Sequence, residues 1–204
     1  MDNIKFSSIL CSQICHDLAG SIGVIDNSLD LINPEELNNF TKDDYIFVTK
    51  AAKQAVIQIK FIRTVFGNYS DSISFEEALN FSKLFLGLKK IQLCWSNDNP
   101  AKDIEVKLLK IIMSILYGSK IMLPYGGSIE IFQENNSAFK VNLISEKIKY
   151  FDNIITLLNS NSAEEPDESK FFPFIYAALV SKEKQIEFTE FVKDHEITYI
   201  ANSM

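Results

Sequence analysis

The chain has 204 residues, 47% of them apolar, enough for one large or two small folded units and incompatible with a disordered tail. A formal charge of −7 repels polyanions, and no Lys cluster reverses that field locally, so nucleic acid is excluded as an expected partner. Of the 20 basic residues only Arg63 is not Lys, and there are two His, three Cys and seven Gly.

The chain opens MDNIKFSSILCSQICHDLAG, with His and Asp inside its apolar stretch, which is not a signal-peptide pattern. Apolar residues at Leu10, Ile14, Leu18, Ile22, Ile25, Leu29 and Ile32 step by four and three, the stripe of one long helix that Asn33-Pro34 ends. Thr41 with Asp43 and Asp44 suits a helix start. A second stripe follows at Tyr45, Val48, Ala52, Ala55, Ile59, Ile62, Phe66 and Tyr69. Two such helices, each about 40 Å long at 1.5 Å per residue, make an antiparallel hairpin. A lone hairpin leaves its stripe wet, and pairing two of them into a four-helix bundle of a homodimer covers it.

Beyond residue 72 the pattern changes. Phe75 to Leu86 reads as a helix, and Lys90 to Trp95 alternates like a strand before the turn Ser96 to Pro100. A buried helix spans about Asp103 to Leu123. Gly126-Gly127 turns into a hairpin of strands, Ser128 to Gln133 and Ala138 to Ile144. Helices near Asp152 to Leu158 and Phe171 to Ser181 flank a polar loop, and Gln185 to Phe191 and Glu196 to Ile200 close the chain as strands. The expected class is α+β: residues 1–72 a helical hairpin, residues 73–204 an α/β sandwich with its sheet covered on one face. The most apolar window, Ile111 to Leu123, contains Lys120 and is shorter than the roughly 20 residues a membrane span needs, so no membrane is expected. An odd number of cysteines fits a reducing compartment, the cytoplasm by default. Cys11 and Cys15 share a helix face with His16 turned about 100° away; no fourth ligand is near, so they read as semi-buried thiols and no metal is expected.

One residue stands out chemically. His16 is two positions from both Ile14 and Leu18, so it points away from the core stripe, and an exposed imidazole is a ready nucleophile. An ordinary surface His is the plain alternative. Its own face carries Ala19, Gly20 and Gly23, and each helical Gly costs about 1 kcal/mol against Ala, so the clearance suits another protein docking there. If Ile32 lies beside Lys42, His16 falls across from Gln58 and Ile59, with Lys60 next to them and Arg63 one turn further. Either cation could stabilise a phosphoryl group on His16, against a solvated flank for Lys60 and an ion pair for Arg63. His195 reads as a surface residue.

The stretch LCSQICHDLAGSIGVIDNSLDLI resembles the phospho-acceptor helix of the ChpT-type histidine phosphotransferases, relatives of the dimerisation and histidine-phosphotransfer domain of sensor kinases. KFIRTVFG is similar to that family's second-helix signature, and weaker likeness runs through FLGLKKIQLCW, LPYGGSIEI and FFPFIYAALV. The resemblance implies a homodimeric four-helix bundle followed by a degenerate kinase ATP-binding domain. It implies His16 as phospho-acceptor with the acid Asp17 beside it, and docking of a receiver domain across Ala19, Gly20, Gly23 and Asn27. The implied partners are the receiver domain of a hybrid histidine kinase and response regulators, with Mg²⁺ held by the receivers and no cofactor by this chain. A working kinase of this kind needs an Asn where Gly118 stands and a glycine-containing nucleotide lid, yet no Gly follows Gly127. Where bifunctional kinases carry a water-orienting Thr or Asn this chain has Gly20, which favours passing the phosphoryl group on intact. A non-catalytic helical adaptor is the remaining alternative.

Overall fold

The computed structural model describes residues 3–30, 41–67, 73–97, 104–135, 138–160 and 169–203. The elements in order are α1 (Asn3–Asp30), α2 (Lys42–Phe66), α3 (Phe75–Gly87), β1 (Ile91–Asn97), α4 (Val106–Ser119), β2 (Gly127–Gln133), β3 (Phe139–Ile144), α5 (Asn153–Asn159), α6 (Phe172–Glu183), β4 (Ile186–Lys193) and β5 (Glu196–Ser203). The expectations at Ile32, Asn33-Pro34, Tyr69, Asp103 and the polar loop at 161–168 lie outside the described residues.

Local chemistry starts two helices. Thr41 accepts from the Asp44 backbone N–H while the Asp44 carboxylate accepts from that of Thr41, and Ser74 and Glu77 repeat this reciprocal cap on α3. The strands form one sheet in the order β1-β2-β3-β5-β4, with β1 and β2 parallel around the crossover helix α4 and the other pairs antiparallel. Inward residues alternate along it: Ile129 and Ile131, Val141 and Leu143, Ile197 and Tyr199 are fully buried, whereas Phe132, Glu187 and Thr189 face out exposed. Both glycines of the Gly126-Gly127 turn have positive φ, and a side chain at either would run into the backbone carbonyl of Lys90 or Ile144.

Helix α4 is the centre of the molecule. From Leu108 to Ser119 every residue except Lys110 is buried. Gly118 explains how closely α6 lies on it: a Cβ there would sit 2.5 Å from the Phe174 ring. The core is continuous across the expected 72/73 boundary, because Phe61, Ile62 and Val65 of α2 belong to the same apolar cluster as α4 and the sheet. Phe6, Ile9, Leu10, Ile14 and Leu18 of α1 pack against that cluster, and no described residue of α1 beyond Leu18 does.

This docking corrects the expected α2 stripe. Tyr45 and Ile59 are exposed, and Phe61 and Val65 are buried in their place, since the second half of α2 turns toward α4 rather than only toward α1. Ile22 and Leu29 of the α1 stripe are likewise exposed. Gln58 reaches across the hairpin: its Oε1 accepts from Ser21 Oγ at 3.0 Å, and it lines one cavity together with Asp17, the neighbour of His16. Cys11 and Cys15 are exposed rather than semi-buried. Finally, α1 from Ile4 to Asp30 is long and apolar enough to cross a membrane by length and composition, which the short window at Ile111 to Leu123 did not anticipate. In this fold it is instead tied sideways to the rest of the chain.

Candidate functional site: His16 and the Asp17 cluster

Helix geometry splits neighbouring residues between solvent and core. His16 is 82% exposed by side chain, while Asp17, turned about 100° inward, is 17% exposed. Asp17 gathers donors from two ends of the sequence. Its Oδ1 accepts from Gln13 Nε2 at 3.0 Å and lies 3.4 Å from His16 Nδ1; its Oδ2 accepts from the Tyr117 hydroxyl at 2.5 Å and forms an ion pair with Lys120 Nζ. Gln13 is held in turn by Ser169, whose Oγ donates to Gln13 Oε1 at 3.1 Å.

The rigidity of this cluster comes from aromatic packing. The Tyr117 ring is fully buried, stacked with Phe61 and Phe85 and edge-on to Phe66 and Phe172, so its hydroxyl has one place to point. Lys120 lies with its ammonium 4.0 Å from the centre of the same ring. Burial raises the Asp17 carboxyl, but Lys120, Tyr117 and His16 outweigh it and hold the group below its ordinary value. Burial pulls the Lys120 ammonium down, with Asp17 working the other way, and the Tyr117 hydroxyl is pushed far up by burial and by the adjoining carboxylate, so it stays a donor. A cavity of about 320 Å³ opens beside the cluster, lined by Asp17, Gln58, Ile62, Phe85, Lys89 and Lys120. A larger one, about 630 Å³, lies at the Gly126-Gly127 turn and is lined by none of the expected site residues.

The other expected site residues distribute unevenly. Ala19, Gly20 and Asn27 are exposed on α1 and Gly23 is half-exposed; a Cβ at Gly20 or Gly23 would meet nothing within 4 Å, so nothing in this chain requires glycine there. Lys60 and Arg63 are both exposed, and neither lines the cavity beside Asp17. The cation brought to the cluster is Lys120, which the sequence showed only as the single charge of an apolar window; a lone charge in a buried segment was the available signal that it needs a partner. His195 is exposed in the β4–β5 turn, its Nδ1 3.1 Å from the Glu146 carbonyl. Among the described residues no group of three or more His, Cys, Asp or Glu is placed to hold a metal ion.

No protein-family model matches the chain. Its sequence aligns with protein phosphotransferase ChpT of Brucella abortus (strain 2308), 21% identical over 204 residues, covering 97% of this chain and 95% of the relative. The chain is similar to ChpT along nearly its whole length. A solved structure described as a bacterial phosphotransferase superposes with a TM-score of 0.82 at 20% identity, covering 99% of this chain and 98% of the other, so the two share a fold. The likeness spans the α1–α2 hairpin and the sheet together, not the segment around His16 alone.

Proposed function

We propose that this chain is a histidine phosphotransferase of a His–Asp phosphorelay, taking a phosphoryl group from the receiver Asp of a hybrid histidine kinase onto His16 and delivering it to the receiver Asp of response regulators. The observation that carries this reading is the full-length likeness to ChpT combined with an exposed His16 whose neighbour Asp17 is anchored in the core. In this reading His16 keeps its proton on Nδ1, which lies 3.4 Å from Asp17 Oδ1, and that leaves the Nε2 lone pair free. Nε2 attacks the phosphorus of the aspartyl phosphate in line; a P–N bond forms, the P–O bond to the receiver breaks, and the receiver carboxylate leaves unprotonated. The reverse sequence on a second receiver returns His16 to neutrality. Mg²⁺ belongs to the receivers in this reading, where it neutralises the transferring oxygens.

The docking face is Ala19, Gly20, Gly23 and Asn27, supported by two helical glycines with open space around them. A homodimer is supported by the exposed apolar residues of the hairpin: Ile22, Val24 and Leu29 on α1, and Tyr45, Ile46, Phe47, Val56 and Ile59 on α2. Transfer without ATP is supported by Gly118, where a nucleotide-binding side chain would have to displace the buried Phe174 ring. Lys60 and Arg63, both exposed on α2, are the cations offered to the phosphoryl group in this reading. The cytoplasm is the compartment where receivers meet such a protein.

Incubation with a phosphorylated receiver tests the proposal. Wild-type protein should acquire acid-labile, base-stable label and the His16→Gln variant should not, while still binding the receiver. Undiminished transfer by that variant sinks the reading, and strong self-labelling from ATP alone turns it into a kinase.

A further inference from the structure

Tyr117 and Lys120 lie about a hundred residues from His16 in sequence, yet they supply both donors to Asp17 Oδ2. The other oxygen faces Gln13 and His16 Nδ1. The carboxylate therefore bridges the buried core to the exposed imidazole, and its orientation is dictated from the core side. A surface acid next to a His would be free to rotate; this one is gripped by a phenol locked among four aromatic rings and by an ammonium seated on that phenol's ring.

We propose that Tyr117 and Lys120 are positioning residues for phosphoryl transfer at His16, acting through Asp17, whose carboxylate they hold against Nδ1 so that Nε2 is the nitrogen presented to the receiver. The α+β part of the chain then has a task at the transfer site itself, separate from carrying a docking surface. This deepens the proposed function and rests on it. Aqueous imidazole prefers its proton on Nε2; the clamp reverses that preference, because Oδ1 is fixed where only an Nδ1 proton can be received. The groups that face Asp17 are Gln13 and His16 from α1, Gln58 from α2, Lys89 after α3, and Tyr117 and Lys120 at the end of α4.

The variants are Tyr117→Phe, which keeps the packed ring and removes only the hydroxyl, and Lys120→Met, which keeps the stem and removes the charge. Three readouts are taken on the full-length protein: the single-turnover rate of transfer from a phosphorylated receiver, its pH profile, and the ¹⁵N resonances of the His16 ring. The expected result is a rate lower by on the order of 10- to 100-fold for Lys120→Met and a smaller loss for Tyr117→Phe. The part of the profile set by the Asp17 carboxyl should move to higher pH in both, since each variant removes a group that holds it low, and His16 should shift from the Nδ1–H to the Nε2–H form. Folded variants with wild-type rate, profile and tautomer overturn the proposal. Should Lys120→Met fail to fold, Tyr117→Phe decides by the same readouts. The ring resonances report on the clamp whether or not His16 carries phosphate, so failure of the clamp is distinguishable from failure of the phosphotransfer reading, which His16→Gln tests alone.

Discussion

A single glycine decides how α6 meets α4. Because a Cβ at 118 would press on the Phe174 ring, itself fully buried, Gly118→Ala should destabilise the chain by about 1–3 kcal/mol, the range for overpacking a filled core, measured as a lower urea midpoint at unchanged slope. Asp17 governs the acid limb of stability. Its carboxyl is depressed below the ordinary 3.8, so the unfolded chain binds that proton more tightly than the folded one; the stabilisation is complete above about pH 4 and is lost as pH falls through the folded value. Asp44 and Glu77, lowered by the Thr41 and Ser74 caps, titrate in the same sense. Asp17→Asn should lower stability at neutral pH, where it strands Lys120, and should flatten the fall in stability between pH 5 and pH 2 seen in urea titrations.

The helices show what a sequence reveals and what it hides. Thr41 and its acids were legible because a cap is settled within four residues, and the Gly126-Gly127 turn because two positive-φ positions allow little else. The α2 stripe was right at Val48, Ala52 and Ala55, which are half-buried or buried, and misread at Tyr45 and Ile59, since a three-and-four alternation cannot say which of two neighbours the helix will favour when α4 competes with α1. His16 was recognisable from its outward angle; Tyr117 and Lys120 were not, because a partner about a hundred positions away leaves no periodic trace. A test at this scale uses Gly20 and Gly23. Both have open space within the chain, so Gly20→Ala with Gly23→Ala should stabilise α1 by about 1 kcal/mol each and raise the melting temperature. If the glycines give clearance to a receiver, the same double variant transfers phosphoryl more slowly; a faster or equal rate in the stabilised protein removes their docking role.

For the whole molecule, the hairpin exposes Ile22, Val24, Leu29, Tyr45, Ile46, Phe47, Val56 and Ile59, none of which belongs to the core cluster. Placing charge there, as Val56→Glu with Ile59→Glu, should convert a dimer to a monomer in sedimentation velocity without loss of helical signal, because neither side chain contributes to the core. Wild-type protein that sediments as a monomer would refute the bundle.

The core that crosses from α2 into α4 also has a thermodynamic meaning. Phe61, Ile62 and Val65 are fully or nearly buried in one cluster with α3, α4 and the sheet, Phe61 stacking on Phe85 and Tyr117, and the Lys110 ammonium closes the end of α2 by donating to the Gly67 carbonyl at 2.8 Å. Cutting the chain between these elements would expose both halves of one apolar interior. The hairpin and the sheet should therefore unfold as a single cooperative unit: calorimetry should give one endotherm whose van't Hoff and calorimetric enthalpies agree per cooperative species, and residues 1–72 expressed alone should fail to resist proteolysis.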